Sequence, residues 1–298
     1  MLPRAVVVTV PATSANLGPG FDALGLALSL VDEVRVETAT GGTAPDLTIE
    51  VSGEGADEVP LDESHLVVRA LLATCAHVGA ARPRLVLRCT NRIPHGRGLG
   101  SSAAATLAGV LAARALLAPD LADAEVLALA SEIEGHPDNA AACLLGGLTI
   151  AWSEAAGVRA TRLEPVRGLR ATLLVPGAGL STQSARGMLP AMVPHNDAAH
   201  SAGRAALLVH ALTTRPDLLL AATEDRLHQQ YRAQAAPDTA ALVAHLRDRG
   251  VPAVVSGAGP SVLALTTGAP VELPTSASDW SVLDLDVAAV GATVSAVS

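Results

Sequence analysis

The sequence predicts an α+β chain folded as two closely packed lobes. Three observations carry this expectation. Apolar residues at period two dominate the N-terminal part, a long alanine-rich helix follows a glycine-rich loop near residue 100, and the later strands and helices come in irregular order. That order is unlike the strict strand–helix alternation of a parallel nucleotide-binding sheet. At 298 residues and 50% hydrophobic, the chain is long enough to bury two ordinary cores.

Strands are expected at 6–10 (VVVTV), through Leu24, Leu26, Leu28 and Leu30, at Val34 and Val36, and through Leu47, Ile49 and Val51. Alternate apolar side chains give each segment one buried face, a pattern that suits antiparallel pairing. A helix over 64–78 precedes a strand at 84–90, where Leu85, Leu87 and Cys89 alternate before the turn-rich NRIPHGRGLG. From Ser101 the run SSAAATLAGVLAARALLA is strongly helix-forming, with Ser at its start and Pro119 past its end. A second helix is expected over 123–134, followed by the polar stop EGHPDN, a short apolar segment and the strand GGLTIAW. The lobe boundary is placed at 156/157, dividing the chain into 1–156 and 157–298. The second part should hold a strand at ATLLV, helices near 184–189, 198–212, 216–230 and 239–249, a strand at AVVS, and closing strands at SVLAL and SVLDLDV.

Composition removes several classes of function. The formal charge is −9 and arginines form no stripe, so the electrostatic footprint for nucleic acid is missing and a small-molecule substrate is expected. No membrane-length apolar run and no signal-peptide layout are seen, which points to a cytoplasmic protein. Cys75, Cys89 and Cys143 are odd in number and widely spaced, unlike a disulfide framework or a zinc site. All 20 cationic residues are arginine, and the absence of lysine excludes a Walker A lysine, a protein-kinase strand lysine and a Schiff-base lysine.

The segment Pro94, His95, Gly96, Arg97, Gly98, Leu99, Gly100, Ser101, Ser102, Ala103, Ala104 is the main chemical signal. Three glycines at alternate positions let backbone N–H groups converge on an anion. The helix that follows adds unpaired amides and a positive dipole end, so phosphate can sit there without a lysine. One of Ser101 and Ser102 can cap the helix, leaving the other hydroxyl to face a magnesium ion. In the N-terminal loop, Asn16 and Asp22 are placed to grip an ammonium and a hydroxyl, or else to stabilise the turn and cap the backbone. Gly257 and Gly259 make a tight turn between apolar strands, which can press on the phosphate loop or the substrate or form a plain hairpin.

The segment PHGRGLGSSAA resembles the second signature of the GHMP kinases, the superfamily of galactokinase, homoserine kinase, mevalonate kinase and phosphomevalonate kinase. The first signature, VPATSANLGPGFDALGLAL over 10–28, and the third, VVSGAGPSVLAL over 254–265, are both present and in order. The resemblance implies an N-terminal lobe like ribosomal protein S5 domain 2, holding the ATP-binding region, and a ferredoxin-like C-terminal lobe, with the site between them. SANLGPGFDALG and EIEGHPDNAAACLLGG are most similar to the homoserine kinases within that superfamily.

That likeness implies phosphoryl transfer from ATP, with Mg2+, to the side-chain hydroxyl of L-homoserine. It puts Ser102, Glu132 and Asp22 in the catalytic group, with Ser102 and Glu132 on the metal and Glu134 as a rival to Glu132. It puts Asn16, Asp22, His136, Asp138, Asn139 and Gly259 near the substrate. Thr182 and Arg186 in LSTQSAR, and Arg232 in DRLHQQYR, match places where homoserine kinases hold the substrate carboxylate, which a guanidinium can fork bidentately. His65 stands where relatives often carry an adenine-side asparagine, and Gln229 and Gln230 replace a Glu-Pro pair. A homodimer is one assembly the resemblance allows. Other specificities in the superfamily (shikimate, mevalonate) and a non-catalytic nucleotide-binding relative are the competing readings; a dinucleotide-dependent oxidoreductase is not, since GxGxxG in a βαβ unit is missing.

Overall fold

A computed structural model describes residues 3–39, 46–268, 271 and 279–297. Strand β1 (Ala5–Ala15) buries Val6, Val8, Val10 and Ala12 on one face, as the period-two pattern requires. It pairs antiparallel with β2 (Leu24–Ala39), with Val8 opposite Val34 and a register shift between Pro11 and Ala12. Strand β3 (Leu47–Gly53) reaches β4 (Arg84–Asn91) through helix α1 (Leu66–Val78) and runs parallel to it, not antiparallel as expected. Periodicity assigns faces but not direction, and the intervening helix supplies the crossover that a parallel pair needs.

Helix α2 (Ser101–Leu117) lies against β1 and α1 and is apolar almost all round, with Leu107, Ala108, Val110 and Leu111 at or near zero exposure. Its alanines allow this close packing, and Gly109 lets Val67 of α1 approach its backbone. Helix α3 (Asp123–Glu134) packs on α2 and carries a Glu125 carboxylate back to its own N-terminal amide. Helix α4 (Asp138–Leu145) was expected only as a short apolar segment; its residues Ala140, Ala141, Ala142 and Cys143 are fully buried against the sheet.

The hairpin of β5 (Leu148–Glu154) and β6 (Gly157–Leu163) joins the same seven-stranded sheet through β5 on β2. The expected 156/157 boundary falls in the turn of this hairpin, whose second strand ends at Leu163. The C-terminal strand β11 (Thr293–Ala296) returns to pair with β1, so the first lobe is closed by the end of the second. The second lobe is a four-stranded sheet of order β10-β7-β9-β8, formed by β7 (Arg170–Val175), β8 (Ala253–Val255), β9 (Val262–Thr266) and β10 (Ser281–Asp286).

Helices α5 (Thr182–Gly187), α6 (His195–Thr213) and α9 (Pro237–Asp248) accompany the second sheet. The helix expected over 216–230 is broken into a 3-10 turn (Pro216–Leu218), α7 (Leu219–Ala222) and α8 (Gln229–Arg232). The cause is Asp225, whose carboxylate takes the backbone amides of Leu227, His228 and Gln229 and starts a new turn there. No helix among the described residues is long and apolar enough to cross a membrane.

Leu107 on α2 is fully buried in the core. Leu107→Ala should cost about 2–5 kcal/mol of unfolding free energy, read as a lower urea midpoint at unchanged slope.

Candidate active site

Three loops meet at the seam of the two lobes. The loop after β1 holds positive φ at Asn16, Leu17 and Asp22, the phosphate-type loop spans 94–100, and the turn after β8 spans 256–259. Thr13 N donates to Leu99 O (2.9 Å), Gly257 N donates to Ala15 O (3.1 Å), and Ser256 Oγ bonds both Gly98 O (2.7 Å) and Ser14 Oγ (2.8 Å). The third signature thus does press on the phosphate-type loop. Gly98 has φ +76°, and a Cβ there would strike the Ser256 carbonyl oxygen, so a side chain at 98 would part the lobes.

The seam encloses a cavity of about 360 Å³. Gly96, Gly98, Leu99, Gly100, Ser101, Ser102 and Ala103 line one end of it. Neither serine caps helix α2: Gly100 is the N-cap residue and makes no side-chain cap, so the first-turn amides stay open for an anion. Pro94 does not line the cavity, and Ala104 is buried with its amide in the helix, bonded to Gly100 O. Arg97 also departs from expectation. Its guanidinium donates to the carbonyls of Pro176, His95 and Gly177, tying the loop to the second lobe instead of facing the cavity.

The acidic residue at this end is Glu134, not Glu132. Glu134 Oε1 accepts from Ser102 Oγ (2.8 Å) and Thr106 Oγ1 (2.7 Å) and lines the cavity, while Glu132 is exposed to solvent and does not line it. Positions two apart on a helix differ by about 200°, so only one of the pair can face α2. The i, i+4 spacing of Ser102 and Thr106 puts both hydroxyls on one face, toward a shared acceptor. Among the described residues no cluster of three or more His, Cys, Asp or Glu side chains is arranged for a metal.

The opposite end is cationic. Thr182 and Arg186, one turn apart on α5, both line the cavity. Arg186 grips Asp22 bidentately, Nη2 donating to Oδ1 at 2.5 Å and Nη1 to Oδ2 at 3.1 Å, and this hydrogen bonding raises the arginine's pKa further. Arg232 is 4% exposed and lines the same wall, yet no carboxylate lies within ion-pair distance of it among the described residues. Burial, and then the Arg186 charge, pull its pKa below the ordinary arginine value. Such a cation is held at a cost that a bound anion would relieve. Phe21, the one phenylalanine of the chain, lies under both guanidinium groups, 5.6 Å from Arg186 and 5.4 Å from Arg232.

Between the two ends stand His136, Asp138 and Asn139. His136 Nδ1 lies 2.9 Å from Asp138 Oδ1, and that bond holds the imidazole pKa above its usual value. Asn139 accepts from Thr13 Oγ1 at 2.7 Å. Asn16 lines the cavity, but both its polar atoms are engaged: Nδ2 donates to Gly257 O and Oδ1 accepts from Asp22 N. Its visible work is to hold Asp22 in place. Gly259 faces a neighbouring cavity, while Gly257 and Ala258 line this one. Exposed Arg69 on α1 lines the cavity and was missed, since one arginine on a helix carries no signal in sequence.

A second, more apolar cavity of about 260 Å³ adjoins the first and shares Leu66, Ser101 and Ser102 with it. His65 and His95 line it, and the buried Nδ1 of His65 has no hydrogen-bond partner.

Residues 65–147 match the family described as GHMP kinases N terminal domain, which sets the class of protein that this fold and loop define. Homoserine kinase of Streptomyces coelicolor is 56% identical over 97% of this chain and 94% of its own. That of Mycobacterium tuberculosis is 49% identical over 94% of this chain and 90% of its own. Among solved structures, homoserine kinase from Cytophaga hutchinsonii superposes with a TM-score of 0.83 at 27% identity, covering 99% of this chain and 98% of its own. A mevalonate diphosphate decarboxylase from Enterococcus faecalis shares the fold at 14% identity and a TM-score of 0.71, covering 98% of this chain and 99% of its own. The chain belongs to the homoserine kinase family of the GHMP kinases.

Burial first, and His95 second, hold the His65 pKa below its ordinary 6.5. The folded state then resists a proton that the unfolded chain accepts, so His65 lowers stability progressively as pH falls through about 6.5. His65→Asn should flatten the loss of urea midpoint between pH 7 and pH 5 relative to the parent.

Proposed function

We propose that the protein transfers the γ-phosphoryl group of ATP to the side-chain hydroxyl of L-homoserine, giving O-phospho-L-homoserine for threonine biosynthesis in the cytoplasm. The observation that carries this reading is Arg232, a buried cation on the wall of the cavity without a carboxylate partner among the described residues. The adjacent Asp22–Arg186 pair is the mirror image of an amino acid's own two charges. A zwitterion entering here sets its ammonium on Asp22 and its carboxylate on Arg186 and Arg232, so one ion pair is exchanged for two. Asp22, held by Arg186 through both oxygens until the ammonium arrives, acts in substrate binding.

The amino-acid end of the cavity lies across from the glycine loop, which directs the substrate hydroxyl toward the phosphates. Loop amides and the open end of α2 bind the β- and γ-phosphates, with Arg69 adding a charge at the cavity wall. The base fits the apolar cavity beside His65, whose unpaired Nδ1 accepts from an exocyclic amine. Glu134 and Ser102 present oxygen donors suited to Mg2+, which needs phosphate oxygens and water to complete its shell. Bound there, the ion supplies charge neutralisation on the phosphates. Transfer through a loose transition state needs positioning and neutralisation more than covalent chemistry, and these residues provide both.

A coupled ADP-release assay with L-homoserine, L-serine, L-threonine, shikimate and mevalonate tests the reading. Selective turnover of L-homoserine supports it, while turnover of an acid lacking an ammonium group overturns it. Arg232→Ala should raise the homoserine KM at least about tenfold, a loss of roughly 1.4 kcal/mol or more, with the ATP KM nearly unchanged. Glu134→Gln should cut kcat by about two orders of magnitude or more at a fixed low magnesium level, whereas Glu132→Gln should remain near the parent. Equal losses in the two glutamine variants would remove Glu134 from the metal site.

A further inference from the structure

The inference rests on Arg232 being the grip on the substrate carboxylate. His228, one turn before Arg232, has no exposed surface and does not line the cavity. Its Nδ1 lies 2.9 Å from Arg232 Nη1, and a guanidinium can only donate, so Nδ1 carries no proton. Its Nε2 lies 2.8 Å from Gly18 O, and a carbonyl can only accept, so the ring proton sits on Nε2. Both partners therefore demand the same neutral tautomer.

The remaining bonds of Arg232 are long: Nε to Ala185 O at 3.3 Å and Nη1 to Gly257 O at 3.4 Å. His228 is the short anchor, and Nη2 is left without a protein partner among the described residues. The imidazole also packs 5.2 Å from Phe21, the ring beneath both arginines. Gly18 and Phe21 belong to the loop that carries Asp22. One side chain therefore links the residue facing an ammonium to the residue facing a carboxylate. The Asp225 carboxylate sits 3.6 Å from Nε2, too far for a hydrogen bond, and is spent on backbone amides, so it fixes the turn and not the ring.

We propose that His228 is the positioning residue for Arg232, setting the spacing between the two ends of the amino-acid subsite through one acceptor bond to Arg232 and one donor bond to the Gly18 carbonyl.

Three variants separate this from a merely structural histidine. Asn places its Oδ1 where Nδ1 stands, restoring the acceptor for Arg232 but not the donor to Gly18. Gln reaches the Gly18 carbonyl but offers no acceptor near Arg232, and Leu supplies neither. His228→Leu and His228→Gln should raise the homoserine KM by about tenfold with the ATP KM within about twofold, and His228→Asn should recover most of the loss. Melting temperatures of all three report the structural contribution separately. If Asn is no better than Leu, or if the ATP KM rises by the same factor as the homoserine KM, the inference is overturned. If Arg232→Ala itself leaves the homoserine KM unchanged, the subsite reading falls and takes this inference with it; if only the His228 variants are silent, the reading stands and the inference alone fails.

Discussion

The site depends on the absence of a side chain at Gly98. The phosphate-type loop belongs to the first lobe and the 256–259 turn to the second, and they meet where the Gly98 and Ser256 backbones touch. Only with the lobes at this separation do Gly257 N reach Ala15 O and Asn16 Nδ2 reach Gly257 O. Those bonds in turn fix Asp22, through the Asn16 side chain that accepts its amide. A cavity with open helix amides at one end and arginines at the other is a consequence of that one close approach.

Charge is distributed in that cavity by what each arginine has already been given. Arg97 spends its donors on three carbonyls and is unavailable to an anion, although it sits inside the glycine loop. Arg186 is satisfied by Asp22, while Arg232 has an imidazole nitrogen and two distant carbonyls for Nε and Nη1 and no partner for Nη2 among the described residues. Among the described residues of this cavity, only Arg232 is both buried and without a counter-charge. A protein without lysine must neutralise phosphate by other means, and in the proposed reading the uncapped start of α2 meets that need with backbone dipoles that cannot be lost to a protonation change.

Much of the fold was legible because burial imposes a period. The alternation in β1 and β2 and the extents of α2 and α3 follow from which side chains leave water. Strand direction, the β6 and β11 pairings and the break at Asp225 were not legible. They are decided by crossovers, by strands with mostly exposed side chains, and by one carboxylate capturing three amides. In the site, residue type was readable and orientation was not. Glu132 and Glu134 are chemically alike, and only the placement of α3 against the Ser102 and Thr106 hydroxyls separates them. Arg97 and Arg232 are likewise alike until their partners are seen. His228 had no signal at all, because a buried histidine that never meets the cavity looks in sequence like any core residue.

The two ends of the cavity are also mechanically joined. Arg97 reaches from the phosphate-type loop to the carbonyls of Pro176 and Gly177, and Leu180 N donates to Gly96 O, so the loop that leads into α5 is laid against the phosphate cradle. Helix α5 carries Thr182 and Arg186, and Arg186 holds Asp22 of the first signature. The path runs on from that loop through Gly18 and His228 to Arg232, and closes where Arg232 Nε donates to Ala185 O of α5. Each end of the cavity is thereby built on residues that the other end helps to place, and a displacement of the glycine loop must be felt by the arginine proposed to meet the amino acid. Positioning is the main demand of phosphoryl transfer, and a closed ring of hydrogen bonds across two lobes meets it without asking any single side chain to be reactive.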